Sequence, residues 1–456
     1  MVSLFYFRGG VEVTVRQKVF KYKFQHAFPL VVVLVDIIPL YFFPKTVVLT
    51  VVALLAAALF WLNHKKLRIH HLPVFLLWGV LASCIIALRY TPETPSLPQS
   101  LSRVTALEGV LVSDARRTSR GSYIYELKLE KVYMQNISQT MSRTVTVFAS
   151  AGKGFWGEAV RFEKARPGKD GASFSAKKML HLGSRNSFFA IRKAAVQAFT
   201  EKIQLVYGEK SFLAEALLTG SRDNLDPHLK EQFRRAGVSH VLALSGMHLG
   251  IIALFIFFMV RRLAGPRLSI LAVNAMNILY LLMAGISPSL LRAVIMFALV
   301  SLGRLMGARV SLMRVLVFAF SLSLMIFPGY FFSLSFQLSF LALAGLLMFT
   351  TTIADSLERV MPGFLATGIA CSLAAVIMTA PVSFYYFGVV YPAGIITSMV
   401  ISPVVTLYMC LGLGFLFLPV SLFSWTPLFH QIFSSFYALI SWIVGLAALI
   451  PGIGRG

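Results

Sequence analysis

The stretch AGVSHVLALSGMHLGIIALF, residues 236–255, decides the fold class of this chain. It begins with histidines, serines and glycines and continues as an apolar segment that can enter a membrane as a helix. Polar side chains inside a membrane-spanning helix are costly, and they are therefore concentrated at functional positions. The stretch predicts a membrane helix whose first turns contact something other than lipid.

Composition extends this interpretation to all 456 residues. Apolar residues make up 57% of the chain and charged residues 13%, and the mean hydropathy is +0.77. Such values exclude a soluble globular protein and indicate a protein that crosses the membrane several times. The apolar stretches run to roughly 18–24 residues, which suits membrane-spanning helices and exceeds the length of barrel strands.

Charge, cysteine content and the N-terminus limit the class further. The net charge of +24 fits a nucleic-acid partner, and it also fits a membrane protein that collects Lys and Arg on its cytoplasmic side. Cys84, Cys371 and Cys410 are isolated within apolar segments, so neither disulfides nor a cysteine metal site is expected. Residues 1–26 lack the compact apolar core of a cleavable signal peptide.

The hydrophobic pattern divides the chain into five predicted regions. They are, in order, a basic cytoplasmic N-terminal segment at 1–27, three transmembrane helices at 28–90, an extracytoplasmic β domain at 91–184, amphipathic and juxtamembrane helices at 185–237, and a second transmembrane region of about eight spans at 238–450. The basic loop at 64–71 places the N-terminus in the cytoplasm by the positive-inside rule. The fold class is therefore a polytopic α-helical membrane protein with about 11 spans.

Apolar alternation within 91–184 predicts short strands. They are expected at 106–112, 123–133, 144–149 and 159–165. Four or five strands in under ~100 residues suggest a small barrel of OB type, which binds single-stranded nucleic acid through basic and aromatic side chains. The candidate binding residues are Arg116, Arg117, Arg120, Lys128 and Lys131. A spacer barrel whose charges are only solvated surface remains the alternative.

The remaining pattern is helical. An amphipathic helix is predicted at 187–207, where it lies on the membrane surface or packs against a bundle, with one apolar face formed by Phe188, Ile191, Ala195, Phe199, Ile203 and Val206. Short helices are predicted at 211–219 and 227–236. Spans are expected at 239–260, 268–284, 289–306, 311–327, 331–350, 364–380, 392–418 and 428–450, and prolines within 381–418 suggest a broken or re-entrant helix there.

Ser245 and His248 lie three residues apart and are expected to share one helix face, while Gly246 and Gly250 form a face that admits another backbone closely. The combination suggests a pore or a substrate contact, and helix packing by the same groups is the alternative. A serine hydrolase acting through Ser245 is disfavoured, because the later spans before residue 428 contain no histidine that could serve as the base.

Polar groups downstream add to this picture. Arg292 lies near the outer end of its predicted span, where it reaches the interface or faces an anionic cargo, and Gln337 adds a hydrogen-bonding group to the bundle. A phosphate-binding Gly-Lys-Ser/Thr loop and a metal-ligand cluster are both missing from the sequence. We therefore expect no cofactor, no metal and no intrinsic ATP hydrolysis.

Several motifs together resemble a known family. They are ALLTGSR at 216–222, FRRAGVSHVLALSGMH at 233–248, SPSLLRA at 287–293, FQLSF at 336–340 and PVSFYYFG at 381–388. In this order and spacing they look like the signature of the ComEC competence family, whose members are channels that import single-stranded DNA during natural transformation. The resemblance is strong over about 185–420.

The resemblance implies a plasma-membrane channel component that is not an enzyme. Its candidate channel residues would be His240, Ser245, Gly246, His248, Gly250, Arg292, Gln337 and Arg222. Its partners would be single-stranded DNA, membrane lipid, a DNA receptor, a cytoplasmic translocating helicase, a separate nuclease and other copies of the chain. A transporter or scaffold for another anionic cargo is the alternative.

The sequence departs from the family in two places. Ser221 stands before Arg222 where members commonly carry an acidic residue, so the role of that charge is open. The sequence ends at Gly456, before the metallo-β-lactamase-like domain of full-length members, so a nuclease step is expected to need another protein.

Overall fold

The computed structural model describes residues 104–118, 121–134, 137–150, 152–168, 173–184, 186–308, 310–416 and 426–454. The three spans predicted within 28–90 and the candidate Arg120 lie outside the described residues. The chain divides into two units, and of the described residues 310–331 belong to one unit and the others to the second.

A curled β sheet forms the first part of the second unit. Its strands are β1 (Val104–Leu111), β2 (Arg116–Arg117), β3 (Tyr123–Met134), β4 (Ile137–Ala149), β5 (Glu158–Glu163), β6 (Arg166–Pro167), β7 (Ser173–Ala176) and β8 (Lys178–Ser184). The strand order is β6-β7-β4-β3-β1-β5-β8, with β2 paired to β3. All described pairings in this sheet are antiparallel except that of β4 with β7, which is parallel.

One face of the sheet is closed around an apolar core. Alternate residues of β3, among them Tyr125 and Leu127, are fully buried, and Tyr125 packs edge-on against Phe162 of β5 at 5.0 Å between ring centroids. Gly109 lies at a register shift between β1 and β3, and a Cβ there would clash with the carbonyl oxygen of Lys128. The missing side chain lets the strands approach and the sheet curl.

The four predicted strands are present as β1, β3, β4 and β5, and β4 begins earlier, at Ile137. The sequence analysis missed β7 and β8. These strands are short and are separated only by Lys177, and their buried side chains are few, so the apolar alternation never reached a recognisable length.

The helices follow the sheet. They are α1 (Ser187–Tyr207), α2 (Ser211–Leu218), α3 (Pro227–Arg235), α4 (Ser239–Leu242), α5 (Gly246–Ala284), α6 (Pro288–Leu305), α7 (Leu312–Ile326), α8 (Leu334–Leu357), α9 (Gly363–Phe387), α10 (Ala393–Leu416) and α11 (Thr426–Ala447). Two short strands, β9 (Val389–Val390) and β10 (Ile453–Gly454), pair antiparallel. Helices α1, α2 and α3 confirm the predicted segments to within one residue.

Helix α5 folds back on itself at Gly265, whose φ of 78° and ψ of 176° are not helical. A straight helix of 39 residues would be about 58 Å long at 1.5 Å per residue. Yet Ser289, five residues beyond the end of α5, donates a hydrogen bond of 2.8 Å to the carbonyl of Leu244, which precedes its start. The two halves therefore form a hairpin, as the two predicted spans required.

Six described helices are long and apolar enough to cross a membrane: α5, α6, α8, α9, α10 and most of α11. Helix α7 is apolar but shorter, and it belongs to the other unit. Pro381 and Pro403 lie inside α9 and α10, which continue through them, so neither proline breaks its helix, and the chain between these helices passes through β9. The chain is a membrane protein with a β domain.

The apolar face predicted for α1 is only partly buried. Ile203 and Val206 are buried near its C-terminus, whereas Phe188 and Ile191 are 42% and 68% exposed and Arg192 is 5% exposed. Exposed apolar residues in the N-terminal half fit the alternative in which this part of α1 lies on the membrane surface. Arg192 is drawn inward by charged and carbonyl partners that helical periodicity does not reveal.

Candidate functional site

Arg192 of α1 joins the β domain to the end of α5. Its Nη1 and Nη2 donate to the two carboxylate oxygens of Asp114 at 2.9 and 2.6 Å. Its Nε and Nη2 donate to the carbonyls of Leu282 and Met283 at 2.7 and 2.9 Å. A cation is favourable at a helix C-terminus, so one guanidinium caps α5 and pairs with the loop after β1.

A second ion pair fixes the same surfaces. Lys193 Nζ lies 2.6 Å from the Glu158 carboxylate at the start of β5. The other oxygen of Glu158 accepts a hydrogen bond from the backbone N–H of Phe155, and Trp156 N–H donates to Asp114. The loops before β2 and before β5 are thus both attached to α1.

Asp223, in the loop between α2 and α3, forms the third contact with the β domain. Its carboxylate lies 3.2 Å from Lys153 Nζ and accepts from the backbone N–H of Arg117. Arg117 Nη1 also donates to the Asp223 carbonyl, and Lys153 donates to Ser221 Oγ. The candidate residue Arg117 therefore serves the domain junction.

Arg222 lies in the same loop and interacts with Arg116 of β2. Burial, and then the like charge of Arg116, lower the pKa of the Arg222 guanidinium. Among the described residues no carboxylate pairs with Arg222. The β domain and the helical region thus meet at a surface with more cations than anions.

The N-terminus of α5 is built by Ser245 and His248. Ser245 is the N-cap in extended conformation, and its Oγ accepts from the backbone N–H of Met247 at 3.2 Å. Its own N–H donates to His248 Nδ1 at 3.2 Å, which completes a capping box. The helix therefore begins at Gly246 and not at 239. The prediction that Ser245 and His248 share one helix face was wrong, because Ser245 precedes the helix as its N-cap.

This arrangement fixes the imidazole of His248. Because Nδ1 accepts from Ser245 N–H, the hydrogen of the neutral ring is on Nε2. His248 is fully buried, and its Nε2 has no hydrogen-bond partner among the described residues. The first turn of α5 thus holds a buried donor that is not satisfied.

The hydroxyl of Ser245 and the imidazole ring of His248 are in direct contact. Ser245 Oγ lies 3.0 Å from His248 Nδ1, but it caps the helix through Met247. The geometry gives a helix cap.

Arg292 of α6 reaches the same helix terminus. Its Nη2 lies 3.7 Å from the place where a Cβ on Gly246 would be, which puts the guanidinium beside the first residue of α5. The Arg292 guanidinium lies 5.8 Å from the centre of the Phe340 ring of α8, and its Nε is buried without a partner in the described structure. Gln337 lies on α8 three residues before Phe340, at helical spacing from this contact.

The other candidates are more distant or less defined. His240 lies in α4, exposed to solvent, and interacts electrostatically with His248, as Arg222 does. Gly250 lies one turn further along α5 and is half-buried. Lys128 and Lys131 are exposed on β3, away from the junction contacts, and Lys131 faces Glu108 across the sheet.

Sequence reasoning missed Asp114, Lys153, Arg192 and Asp223. Arg192 and Asp114 are separated by 78 positions, and Lys153 and Ser221 by 68, so no local spacing could have indicated them. No signal in the sequence indicated Arg192, because the helical pattern places it outside the predicted apolar face. Among the described residues no His, Cys, Asp or Glu cluster could hold a metal ion.

Together, the long apolar helices and the attached β domain define a membrane protein with a β domain and a cationic junction. A comparison with protein families identifies the family: residues 217–454, more than half of the chain, match the family described as Competence protein. The chain belongs to this family.

Two curated relatives match about the same share of the chain. ComE operon protein 3 of Bacillus subtilis (strain 168) is 30% identical over 245 residues, which cover 53% of this chain and 30% of the relative. A protein of Aquifex aeolicus (strain VF5), described as uncharacterized, is 29% identical over 237 residues, covering 52% of this chain and 54% of the relative. The match thus spans about half or less of each relative. No solved structure matches the chain.

Proposed function

We propose that this chain is a membrane channel component that passes single-stranded DNA into the cell during natural transformation. The observation that carries the proposal is the series of arginines Arg116, Arg222 and Arg292, for which the described residues supply no matching carboxylates, together with the neutral N–H donor of His248. Family membership and the similarity to ComE operon protein 3 support DNA uptake as the role.

The charge distribution gives the physical reason. Neighbouring cations repel one another, and removing them from water adds to the cost unless an anion lies between them. A DNA backbone brings one charge per phosphate and releases its own counterions when Lys and Arg replace them. Polar groups at the first turn of α5 can then take over from water as the strand enters the bundle.

The β domain would be the receiving platform, as an OB-type barrel on the outer side of the plasma membrane. Its strand pairing supports this form: β7 pairs parallel with β4, and β8, one residue later, pairs antiparallel with β5. Lys128 and Lys131, exposed on β3, would contact the strand there. Arg116 would receive the strand at the junction, and Arg117 would hold the junction in place.

The fold-back of α5 supports two membrane crossings by this helix, so that the described helices give eight crossings with α7 and the chain about eleven. With the N-terminus in the cytoplasm, the β domain and the ends of α5 would face outward. A DNA receptor would deliver the strand, a cytoplasmic helicase would pull it, a separate protein would degrade its complement, and copies of the chain would assemble.

Transformation of a competent host that lacks its own competence channel gene tests the proposal. We expect this chain to restore transformation, and proteoliposomes containing it to take up fluorescent single strands but not duplexes of equal length. An intact, membrane-inserted chain that restores neither would contradict the proposal. Passage of small organic anions without DNA would instead identify a transporter for another anionic cargo.

A further inference from the structure

Three donors around the start of α5 lack acceptors. His248 Nε2–H is fully buried and unpartnered, and Arg292 Nε–H is buried and unpartnered in the described part of the chain. Arg222 has no ion-pair partner among the described residues. An unsatisfied buried donor costs free energy, and an unsatisfied charged donor costs more, so their accumulation points to an absent acceptor.

These donors come from separate segments that converge on residues 244–248. Gly220 packs against the side chain of Leu244, which brings the loop holding Arg222 to the helix start. From the other side Ser289 binds the Leu244 carbonyl, and Arg292 lies against Gly246. Arg222 is close enough to His248 for electrostatic interaction.

The acidic side chain next to Arg222 in the sequence is already engaged elsewhere. Asp223 follows Arg222 directly, but its carboxylate binds Lys153 and the backbone of Arg117. The first turn of α5 adds the positive end of the helix dipole to the charges of the two arginines. A helix N-terminus with arginines and further N–H donors favours a tetrahedral oxyanion.

We propose that Arg222, His248, Arg292 and the N-terminus of α5 bind one phosphate group, the chemistry that a DNA phosphodiester and free phosphate share. As a contact for DNA in transit, this site rests on the proposed function. As a phosphate site, it stands on the geometry of the helix start.

Equilibrium binding of radiolabelled inorganic phosphate to the full chain in nanodiscs tests the site. We expect saturable binding that weakens about ten-fold or more in Arg222→Gln and in Arg292→Gln, because each loses a charge-assisted hydrogen bond. Arg292→Lys keeps the charge but not the planar donor, so it should lie between Arg292→Gln and the unchanged chain. Arg262→Gln, an exposed arginine at the fold-back of α5, is the matched control and should bind as the unchanged chain does.

A pair of substitutions separates phosphate binding from helix capping. His248→Asn places a carbonyl oxygen near the position of Nδ1, so the cap is kept and the Nε2 donor is lost. His248→Gln places a donor near Nε2 and loses the cap. If His248 binds phosphate, the His248→Asn variant should bind phosphate several-fold more weakly with little change in thermal stability. The His248→Gln variant should lose thermal stability and keep its phosphate affinity. Loss of binding in the Gln variant alone would overturn the role of His248.

Competition identifies the source of the phosphate. A thymidine oligonucleotide should displace labelled phosphate, and its uncharged methylphosphonate analogue should not. Displacement by neither would support a site for free phosphate and remove it from the DNA path. Absence of saturable phosphate binding, or equal affinity in both Arg→Gln variants and the control, would overturn the site. Single-strand uptake by proteoliposomes is measured separately, so failure of this site leaves the proposed function to its own test.

Discussion

At the scale of single residues, Arg192 combines deep burial with many hydrogen bonds. Its guanidinium donates four hydrogen bonds to two different elements while its side chain is almost fully buried. A buried ion pair is not strong evidence of net stabilisation, but breaking one by removing a single partner is costly. The consequence is a position that tolerates substitution poorly although it touches no proposed cargo.

Replacing Arg192 by methionine should lower the free energy of unfolding by about 3 kcal/mol. This is the lower end of the range for buried pairs, because the Asp114 side chain remains 30% exposed and can be solvated in the variant. Thermal unfolding of the detergent-solubilised chain measures the effect. Arg262→Met, at an exposed arginine, is the control. Equal stability of the two variants would show that the contacts to Asp114 and α5 contribute little.

At the scale of elements, the fold-back of α5 depends on one backbone conformation. The φ of 78° and ψ of 176° at Gly265 lie in a region that residues with a Cβ rarely adopt. Pro266 follows and cannot donate a backbone hydrogen bond, which favours the break at this point. The hairpin in turn brings Ser289 and Arg292 to the start of α5, so the candidate site depends on this glycine.

Gly265→Ala should therefore destabilise the chain by about 1–3 kcal/mol, through backbone strain and not through a clash, since a Cβ there meets open space. Gly414→Ala is the matched control, because Gly414 is helical, also has open space, and should gain up to about 1 kcal/mol of helix propensity. Unfolding transitions in detergent give the comparison. A neutral Gly265→Ala would mean that the fold-back does not need the glycine conformation.

The sequence predicted the secondary structure better than the site. Helix α1 has the predicted bounds of 187–207, since its start and end depend on local signals: Asn186 caps its N-terminus and Gly208 ends it at a φ of 68°. The site residues Ser245, His248 and Arg292 were all singled out, but their roles were not. Whether Ser245 lies in the helix or caps it depends on the residue at which the helix begins. The apolar periodicity of the sequence does not specify that residue.

At the scale of the molecule, ion pairs attach the β domain to the helices, together with an aromatic contact between Trp156 and Phe189 of α1 at 5.2 Å between ring centroids. The pairs Asp114–Arg192 and Glu158–Lys193 join it to α1, and Asp223 joins the loop after α2 to Arg117 and Lys153. The apolar core of the sheet is made of residues 104–179 alone. Charged contacts of this kind transmit the position of the β domain to α1 and α5.

The double variant Asp114→Asn, Glu158→Gln should therefore release the β domain from α1 without unfolding its core. We expect faster amide hydrogen exchange in the loops before β2 and before β5, with unchanged exchange in β3, and a separate unfolding transition for the domain. Lys128→Gln, a substitution at an exposed position of β3 outside these ion pairs, is the control. Exchange that rises equally across the whole sheet would show that the ion pairs stabilise the domain itself.

The sequence by itself determined the class of protein: hydropathy sets the membrane helices, alternation sets the main strands, and the ordered motifs indicate the competence family. The tertiary structure alone decided that α5 folds back, that Ser245 and His248 form a cap, and that Arg192, Arg222 and Arg292 reach the same helix from different segments. Local hydropathy patterns in the sequence indicate which residues are buried or lie in the membrane. The partners of a buried charge come from distant parts of the chain, and only the folded structure brings them together.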